Sequence, residues 1–232
     1  MKRIFFAIFV IFSVFSIYVL NFNEEKNIVF LGDYLLKKSS LFLEDDKEYN
    51  YNKNFVSENY HITDLINMIN ENIEHEQTSI KQNLIKADFV ILSIGMNDYT
   101  SVEYLSNKNE NLLSLQNDYV RLFEILRKNT KEKIIMIGLY DNTSCNSFSK
   151  SLFELNEFLK RETKIYSIDY VDILKEMKDI NNLKCDSVYP TLYGYSLIEN
   201  KIIAILNSWY NIIIGGLIWE INYFQKFLLG CL

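Results

Sequence analysis

A short apolar run that ends in a glycine and an aspartate constrains the fold of this chain more than any other feature. Residues 28–31 are all apolar, and Gly32-Asp33 follows them directly. A continuous apolar run of this length, closed by a turn signal, is typical of a buried strand in a parallel sheet. Open α/β sheets carry their ligand sites at the carboxyl ends of such strands. The sequence therefore predicts a site around Gly32, Asp33 and Tyr34.

Two later stretches repeat this arrangement. Residues 89–94 are almost entirely apolar and lead into Gly95-Met96-Asn97-Asp98, and Asp186-Ser187-Val188-Tyr189-Pro190 precedes a final amphipathic segment. Together with Gly32-Asp33-Tyr34-Leu35, these stretches resemble the sequence blocks of the SGNH (GDSL) hydrolases. That family contains lipase-like acylhydrolases, other esterases and carbohydrate deacetylases.

The resemblance is strong at the scaffold positions, but the chain departs from the family at two catalytic positions. The family blocks are Gly-Asp-Ser-Leu, Gly-x-Asn-Asp and Asp-x-x-His-Pro, and residues 95–98 match the second completely. Tyr34 stands at the position of the serine nucleophile, and Tyr189 stands at the position of the histidine base. The resemblance further implies that Asn97 occupies an oxyanion-hole position and that Asp186 occupies the position of the triad acid. The remaining residues that we expect to line the pocket are Gly32, Asp33, Ser57, Glu58, His61, Gly95 and Asp98.

Two tyrosines in place of serine and histidine predict impaired catalysis. A phenol has a pKa near 10 and a bulky ring, so Tyr34 is expected to fill the space in which an ester carbonyl would bind. Tyr189 is a poor general base at neutral pH because its conjugate base is scarce. Asn97, Asp33 and Asp186 then serve the turns as hydrogen-bonding groups.

Two alternatives remain open. The first is an active esterase, acylhydrolase or carbohydrate deacetylase with non-standard groups. It would use either Tyr34 as nucleophile or Ser57 as nucleophile with His61 as base. The second is a structural envelope protein whose pocket has no ligand.

Apolar runs alternate with amphipathic segments along the chain, which predicts an α/β fold with a parallel sheet. The resemblance implies a three-layer αβα sandwich around a five-stranded, flavodoxin-like sheet, in a domain that covers residues 27–210. The predicted strands are residues 27–31, 54–57, 88–95, 133–139 and 164–169. The predicted helices are residues 34–43, 63–76, 111–129, 149–163 and 192–210, and residues 44–53 are predicted to form a loop.

The two ends of the chain carry apolar segments. Lys2 and Arg3 precede an uninterrupted apolar run over residues 4–20, which predicts a transmembrane segment over residues 1–22 with a cytoplasmic N-terminus. No small-x-small cleavage site follows, so we expect an uncleaved signal-anchor, with secretion after cleavage as the alternative. Either places the domain outside the cytoplasm. Residues 211–232 are strongly apolar but contain Glu220 and Lys226, which favours an interfacial or packing helix over a second span.

Composition limits the remaining functions. The net charge is −6, without a basic stripe, which argues against nucleic-acid binding. The two histidines, His61 and His75, form no metal-ligand spacing, and we expect neither a metal nor a cofactor. Free thiols are expected at Cys145 and Cys185, with a disulfide between them as the alternative. The expected partners are the membrane and an acyl or glycan ligand or a protein at the pocket.

Overall fold

The computed structural model describes residues 26–38, 49–103, 108–140, 150–179, 181–183 and 189–208. They belong to two compact units, Lys26–Ile202 and a second unit of which residues 203–208 are described. The predicted anchor over residues 1–22, the segment 211–232, the three cysteines and Asp186 lie outside the described residues. Across the described ranges, no helix combines the length and the apolar character that a membrane span requires.

A five-stranded parallel sheet forms the centre of the first unit. Its strands are β1 (Lys26–Gly32), β2 (Tyr49–Val56), β5 (Phe89–Ser93), β6 (Lys133–Ile137) and β7 (Ile168–Val171). The order across the sheet is β2-β1-β5-β6-β7, and each neighbouring pair is parallel. The flavodoxin-like order is thus confirmed. A separate antiparallel hairpin joins β3 (Glu74–His75) and β4 (Thr78–Ser79).

Helices follow the strands and cover the sheet. They are α1 (Tyr34–Lys38), α2 (Ile62–Glu71), α3 (Ile80–Lys86), α4 (Met96–Glu103), α5 (Lys108–Asn129), α6 (Lys150–Ile165) and α7 (192–208). A short 3₁₀ turn spans Glu176–Lys178. All five side chains of β5 are buried although they alternate between the two faces, so both faces of the sheet are covered. This explains the continuous apolar runs of the central strands.

The second strand is longer than predicted. β2 begins at Tyr49, whereas residues 44–53 were expected to form a loop. β2 pairs only with β1 among the described strands, so its side chains need not be apolar on both faces. Its asparagines instead bond to polar neighbours: Asn50 donates to Asn27 at 3.0 Å and Asn52 donates to Asn83 at 2.7 Å.

Backbone turns also shift the predicted helix boundaries. α2 ends at Glu71 rather than at residue 76, because Asn72 adopts the left-handed conformation with φ 56° and stops the helix. The hairpin and α3, which the sequence analysis does not anticipate, follow it. α6 continues to Ile165, and Ser167 (φ 54°) turns the chain, so the last strand begins at Ile168 rather than at residue 164.

Arg127 fixes the entry into β7. Its guanidinium donates to the carbonyl oxygens of Tyr166 (2.6 Å), Ser167 (2.7 Å) and Glu132 (2.6 Å). One side chain at the end of α5 therefore binds the turns that precede both β6 and β7.

Candidate functional site

Gly32 ends β1 in a conformation that only glycine adopts easily. Its φ is +150°, and a Cβ at this position would lie 1.8 Å from the carbonyl oxygen of Ser93 in β5. The amide of Asp33 then donates to that same oxygen at 2.8 Å. The close approach of β1 to β5 thus turns the chain and directs residues 33 and 34 to the carboxyl edge of the sheet.

Asp33 is buried beneath this edge. Its side chain accepts hydrogen bonds from the amides of Leu35 (3.3 Å) and Met96 (3.4 Å). Burial raises the pKa of the carboxyl to about 7, the amide donors oppose the rise, and the charge of Asp98 adds to it. Asp33 therefore joins the turn after β1 to the start of α4, and it is a titratable group near neutral pH.

The two tyrosines at the expected catalytic positions pack against each other. Tyr34 is 4% exposed, and its ring centroid lies 5.6 Å from that of Tyr189 with the ring planes at 89°. This edge-to-face arrangement is a favourable one for aromatic pairs. The Tyr34 ring thus occupies space at the carboxyl end of β1 in a buried, well-packed state.

Two further phenols join this pair. Tyr140 follows β6 and is buried, and the pKa of its phenol is well above the ordinary value because of burial, the charge of Tyr34 and a hydrogen bond with Tyr34. Burial, with a smaller effect of Tyr189, raises the pKa of Tyr195 to about 12. Tyr140 and Tyr195 are missing from the predicted site residues. The available signal for Tyr140 was its position directly after an apolar run, where the chain leaves the sheet.

Asn97 uses its amide group to hold a neighbouring loop. Its Nδ2 donates to the carbonyl oxygens of Glu58 (2.9 Å) and Tyr60 (3.0 Å). These oxygens belong to residues 57–61, which connect β2 to α2 and are called the strap below. A side-chain amide has two N–H donors, so both are directed at the strap. The arrangement gives Asn97 a role in loop structure.

Asp98 and His61 form a second contact between α4 and the strap. His61 Nδ1 lies 3.3 Å from Asp98 Oδ1, and the Asp98 carboxylate also accepts from the amide of Ile62 at 3.2 Å. Burial raises the pKa of the Asp98 carboxyl, while His61 and the Ile62 amide lower it. At the other end of the strap, the amide of Ser57 donates to the Gly32 carbonyl at 3.0 Å. Glu58 is exposed.

Gly95 sits where α5 approaches the sheet. Its φ is +108°, and a Cβ there would lie 1.8 Å from the hydroxyl oxygen of Tyr119. That buried hydroxyl donates to the Ile94 carbonyl at 2.7 Å. Gly95 is therefore required by packing and by backbone conformation.

Asn156 orients the backbone that leads to Tyr140. Its Oδ1 accepts from the Leu139 amide at 2.9 Å and from the Tyr170 hydroxyl, and its Nδ2 donates to the Leu152 carbonyl at 3.0 Å. Asn156 is 4% exposed, so these bonds form inside the protein. The side chain connects α6, β7 and the end of β6.

The structure thus brings most of the predicted residues to one edge of the sheet, in two groups. Tyr34 and Tyr189 form an aromatic group, and Asn97, Asp98 and His61 form a polar group that holds the strap. Within the described residues, no cluster of three or more His, Cys, Asp and Glu side chains is arranged to hold a metal ion.

Similar folds occur among lipolytic and acetyl-ester-cleaving proteins. A member of the lipolytic G-D-S-L family from Veillonella parvula matches with a TM-score of 0.58 and 14% identity, covering 78% of this chain and 98% of that one. A lipase from a goat rumen metagenome matches with a TM-score of 0.59 and 19% identity, covering 77% and 96%. An acetylxylan esterase from Geobacillus stearothermophilus matches with a TM-score of 0.55 and 14% identity, covering 79% and 94%.

These matches confirm the resemblance to the SGNH (GDSL) hydrolases at the level of the fold. No protein-family model matches the sequence. A search of curated proteins found no significant match.

Proposed function

We propose that this chain is an SGNH-hydrolase-like protein of esterase and lipase ancestry that no longer cleaves esters by the family's serine chemistry. One observation carries the proposal: the buried Tyr34 ring packs edge-on against Tyr189 at the two positions where the resemblance implies nucleophile and base. Loss of a nucleophile or a base from such a triad lowers turnover by several orders of magnitude. Loss of both leaves no group that can relay the proton.

The bonds of Asn97 support the same proposal. An oxyanion hole needs donors that point at the developing negative charge. The Asn97 amide donates to two strap carbonyls instead, at 2.9 and 3.0 Å. The aromatic group of Tyr34 and Tyr189 is better suited to binding than to ester hydrolysis. We propose that it binds an acyl or glycan ligand or a protein partner.

We also propose that the domain lies outside the cytoplasm behind an uncleaved N-terminal anchor. The proposal rests on Lys2, Arg3 and the apolar run over residues 4–20. Protease added to intact spheroplasts of an expressing bacterial host should digest the domain and spare a cytoplasmic marker. Protection of the domain until the cells are lysed would contradict this topology.

Hydrolysis of p-nitrophenyl acetate and butyrate by the full-length chain in a mild detergent tests the loss of activity. Turnover should not exceed that of buffer, and neither Tyr34→Phe nor His61→Ala should change it. Turnover that disappears in either variant would overturn the proposal and would identify the substitute group. The second candidate function, an esterase or deacetylase with non-standard groups, draws its support from the His61–Asp98 pair.

The double variant Tyr34→Ser/Tyr189→His tests the ancestry. We expect turnover above that of the wild type but far below that of an intact esterase, because Asn97 remains bound to the strap. A matched control replaces the exposed Tyr193, four residues from Tyr189, by serine. Turnover in the Tyr193→Ser control equal to that in the double variant would show that the gain does not come from the site.

A further inference from the structure

Positive charge gathers at the amino edge of the sheet, opposite the edge that carries the candidate site. The segments at this edge enter a strand or end the helix before it; they are residues 26–27, 85–88, 127–133 and 164–169. They contain seven basic and three acidic side chains, whereas the whole chain has a net charge of −6. The amino edge is therefore a positive region on an acidic protein.

Strand order and turn contacts bring these segments together. β1, β5, β6 and β7 are successive neighbours in the sheet, so their first residues lie in a row about 15 Å wide. The amide of Asn27 donates to the Asp88 carboxylate at 2.8 Å and joins the starts of β1 and β5. Arg127 binds the turns before β6 and β7. The sequence has no basic stripe because these basic residues come from four separate segments.

Two exposed isoleucines stand among the exposed lysines of this edge. Ile85 and Ile165 are each 70% exposed, and each lies at the end of a helix that precedes a strand. Lysines with exposed apolar neighbours are typical of surfaces that lie on a bilayer, whereas nucleic-acid surfaces pair basic groups with stacking aromatic rings. We call the following six exposed residues the basic edge: Ile85, Lys86, Lys128, Lys131, Lys164 and Ile165.

The N-terminal end of the domain lies at the same edge. β1 begins at Lys26, and in the sequence only residues 23–25 separate Lys26 from the predicted anchor over residues 1–22. Three residues span at most about 10 Å. An anchor over residues 1–22 therefore keeps the bilayer near the amino edge and gives lipid headgroups a high effective concentration there.

We propose that the basic edge docks on the surface of a bilayer with anionic headgroups. The lysines bind the headgroups, and the two isoleucines enter the layer between them. The inference rests on the proposed N-terminal anchor for the nearness of the bilayer. β1 spans seven residues, so roughly 20 Å separate the docked edge from the Tyr34–Tyr189 pair. The site then faces away from the lipid, and its ligand or partner reaches it from the aqueous side.

Reductive methylation of lysines with formaldehyde and dimethylamine-borane, both uncharged, measures the docking in the full-length chain. The chain is placed in nanodiscs of phosphatidylcholine, with or without phosphatidylglycerol, and methylation is read by mass spectrometry. Lys128, Lys131 and Lys164 should react about two- to five-fold more slowly in the anionic nanodiscs, and high salt should remove the difference. Lys150, at the other end of α6 from Lys164, has a side chain that is 89% exposed and should react equally in both.

Charge reversal makes the test specific. Lys128→Glu/Lys131→Glu should abolish the slower methylation of Lys164 in the anionic nanodiscs. The matched control Lys150→Glu/Lys175→Glu changes two exposed lysines that follow β6 and β7 and should preserve it. Equal methylation of Lys164 in the two lipids, or an equal loss of the difference in the control, would overturn the docking.

The isoleucines and a soluble polyanion distinguish the bilayer from other partners. Ile165→Glu should weaken the lipid-dependent slowing at Lys131, whereas Phe153→Glu, at an exposed position in the first turn of α6, should not; the reverse outcome would contradict the role of the isoleucines. Polyphosphate is added to neutral nanodiscs at the phosphate concentration of the anionic lipid. Slowing as large as that caused by phosphatidylglycerol would overturn the bilayer as partner.

Alkaline carbonate extraction of the full-length chain from neutral liposomes tests the anchor separately. Retention supports the anchor, and release would contradict it. The methylation difference decides the docking by itself, so a failure of the anchor and a failure of the docking give different results.

Discussion

The buried carboxyl of Asp33 predicts that the domain is more stable at mildly acidic pH than at alkaline pH. Its pKa rises from 3.8 to about 7 on folding, mainly because of burial. The folded state therefore binds a proton more tightly than the unfolded state. The stability linked to this proton is fully present below pH 3.8 and is lost as the pH rises through about 7.

The size of the effect follows from the shift. One pKa unit corresponds to about 1.4 kcal/mol, so the full span of the shift is worth about 4 kcal/mol. Between pH 5 and pH 8 the linkage relation gives a loss of roughly 2 to 3 kcal/mol in the free energy of unfolding. Asp33→Asn removes the titration and keeps an oxygen that can accept one of the two amide bonds.

Urea unfolding of the full-length chain, followed by far-ultraviolet circular dichroism at pH 5 to 8, measures this free energy. The wild type should lose roughly 2 to 3 kcal/mol more than Asp33→Asn does over that range. Val90→Ala changes a buried, non-ionisable position of β5 and controls for a general loss of stability. Its free energy of unfolding should change with pH as that of the wild type does. An equal change of the free energy of unfolding with pH in the wild type and in Asp33→Asn would refute the reasoning. The Asp33 carboxyl would then have the same pKa in the folded and the unfolded state.

Three further substitutions test the scaffold by the same unfolding measurement. Gly32→Ala should lower the free energy of unfolding by at least about 3 kcal/mol or prevent folding, because the new methyl group meets the Ser93 carbonyl and alanine is strained at this φ. A loss below about 1 kcal/mol would show that β1 and β5 can move apart. Arg127→Ala should cost about 2 kcal/mol through three lost charge-assisted bonds, whereas Arg121→Ala on the same helix should cost little. Equal losses in the two variants would contradict the role given to Arg127 in holding the turns before β6 and β7. Asn156→Ala should cost about 2 kcal/mol because it leaves buried donors without an acceptor, and full retention of stability would mean that water replaces it.

The central strands could be predicted because burial on both faces demands apolar residues without interruption. Residues 28–31 and 89–92 satisfy this demand, and the structure has β1 and β5 there. β2 escaped prediction over residues 49–53 because an outer strand can carry asparagines that bond to their neighbours. Its strand character depends on its partner β1, and no local pattern encodes that partner.

The site was predictable in its location and much less so in its bonds. Sheet topology and the motif spacing suffice to bring Tyr34, Asn97 and Tyr189 to one edge. The partners of Asn97 depend on the path of the strap, which is set by contacts between residues far apart in sequence. Tyr140 follows β6, whose place beside β5 the predicted strand order contains, but its hydrogen bond with Tyr34 depends on the path of the chain after β6, which no local pattern encodes.

The two glycines at positive φ have a practical consequence for finding proteins like this one. Gly32 and Gly95 are required by contacts of the scaffold, with Ser93 and with Tyr119, whatever residue stands at position 34. A search that demands the nucleophilic serine would pass over this chain. A search built on the spacing of the two glycine turns, with the residue after Gly-Asp left free, would retrieve it and would sort such chains by that residue into candidate enzymes and candidate binding proteins.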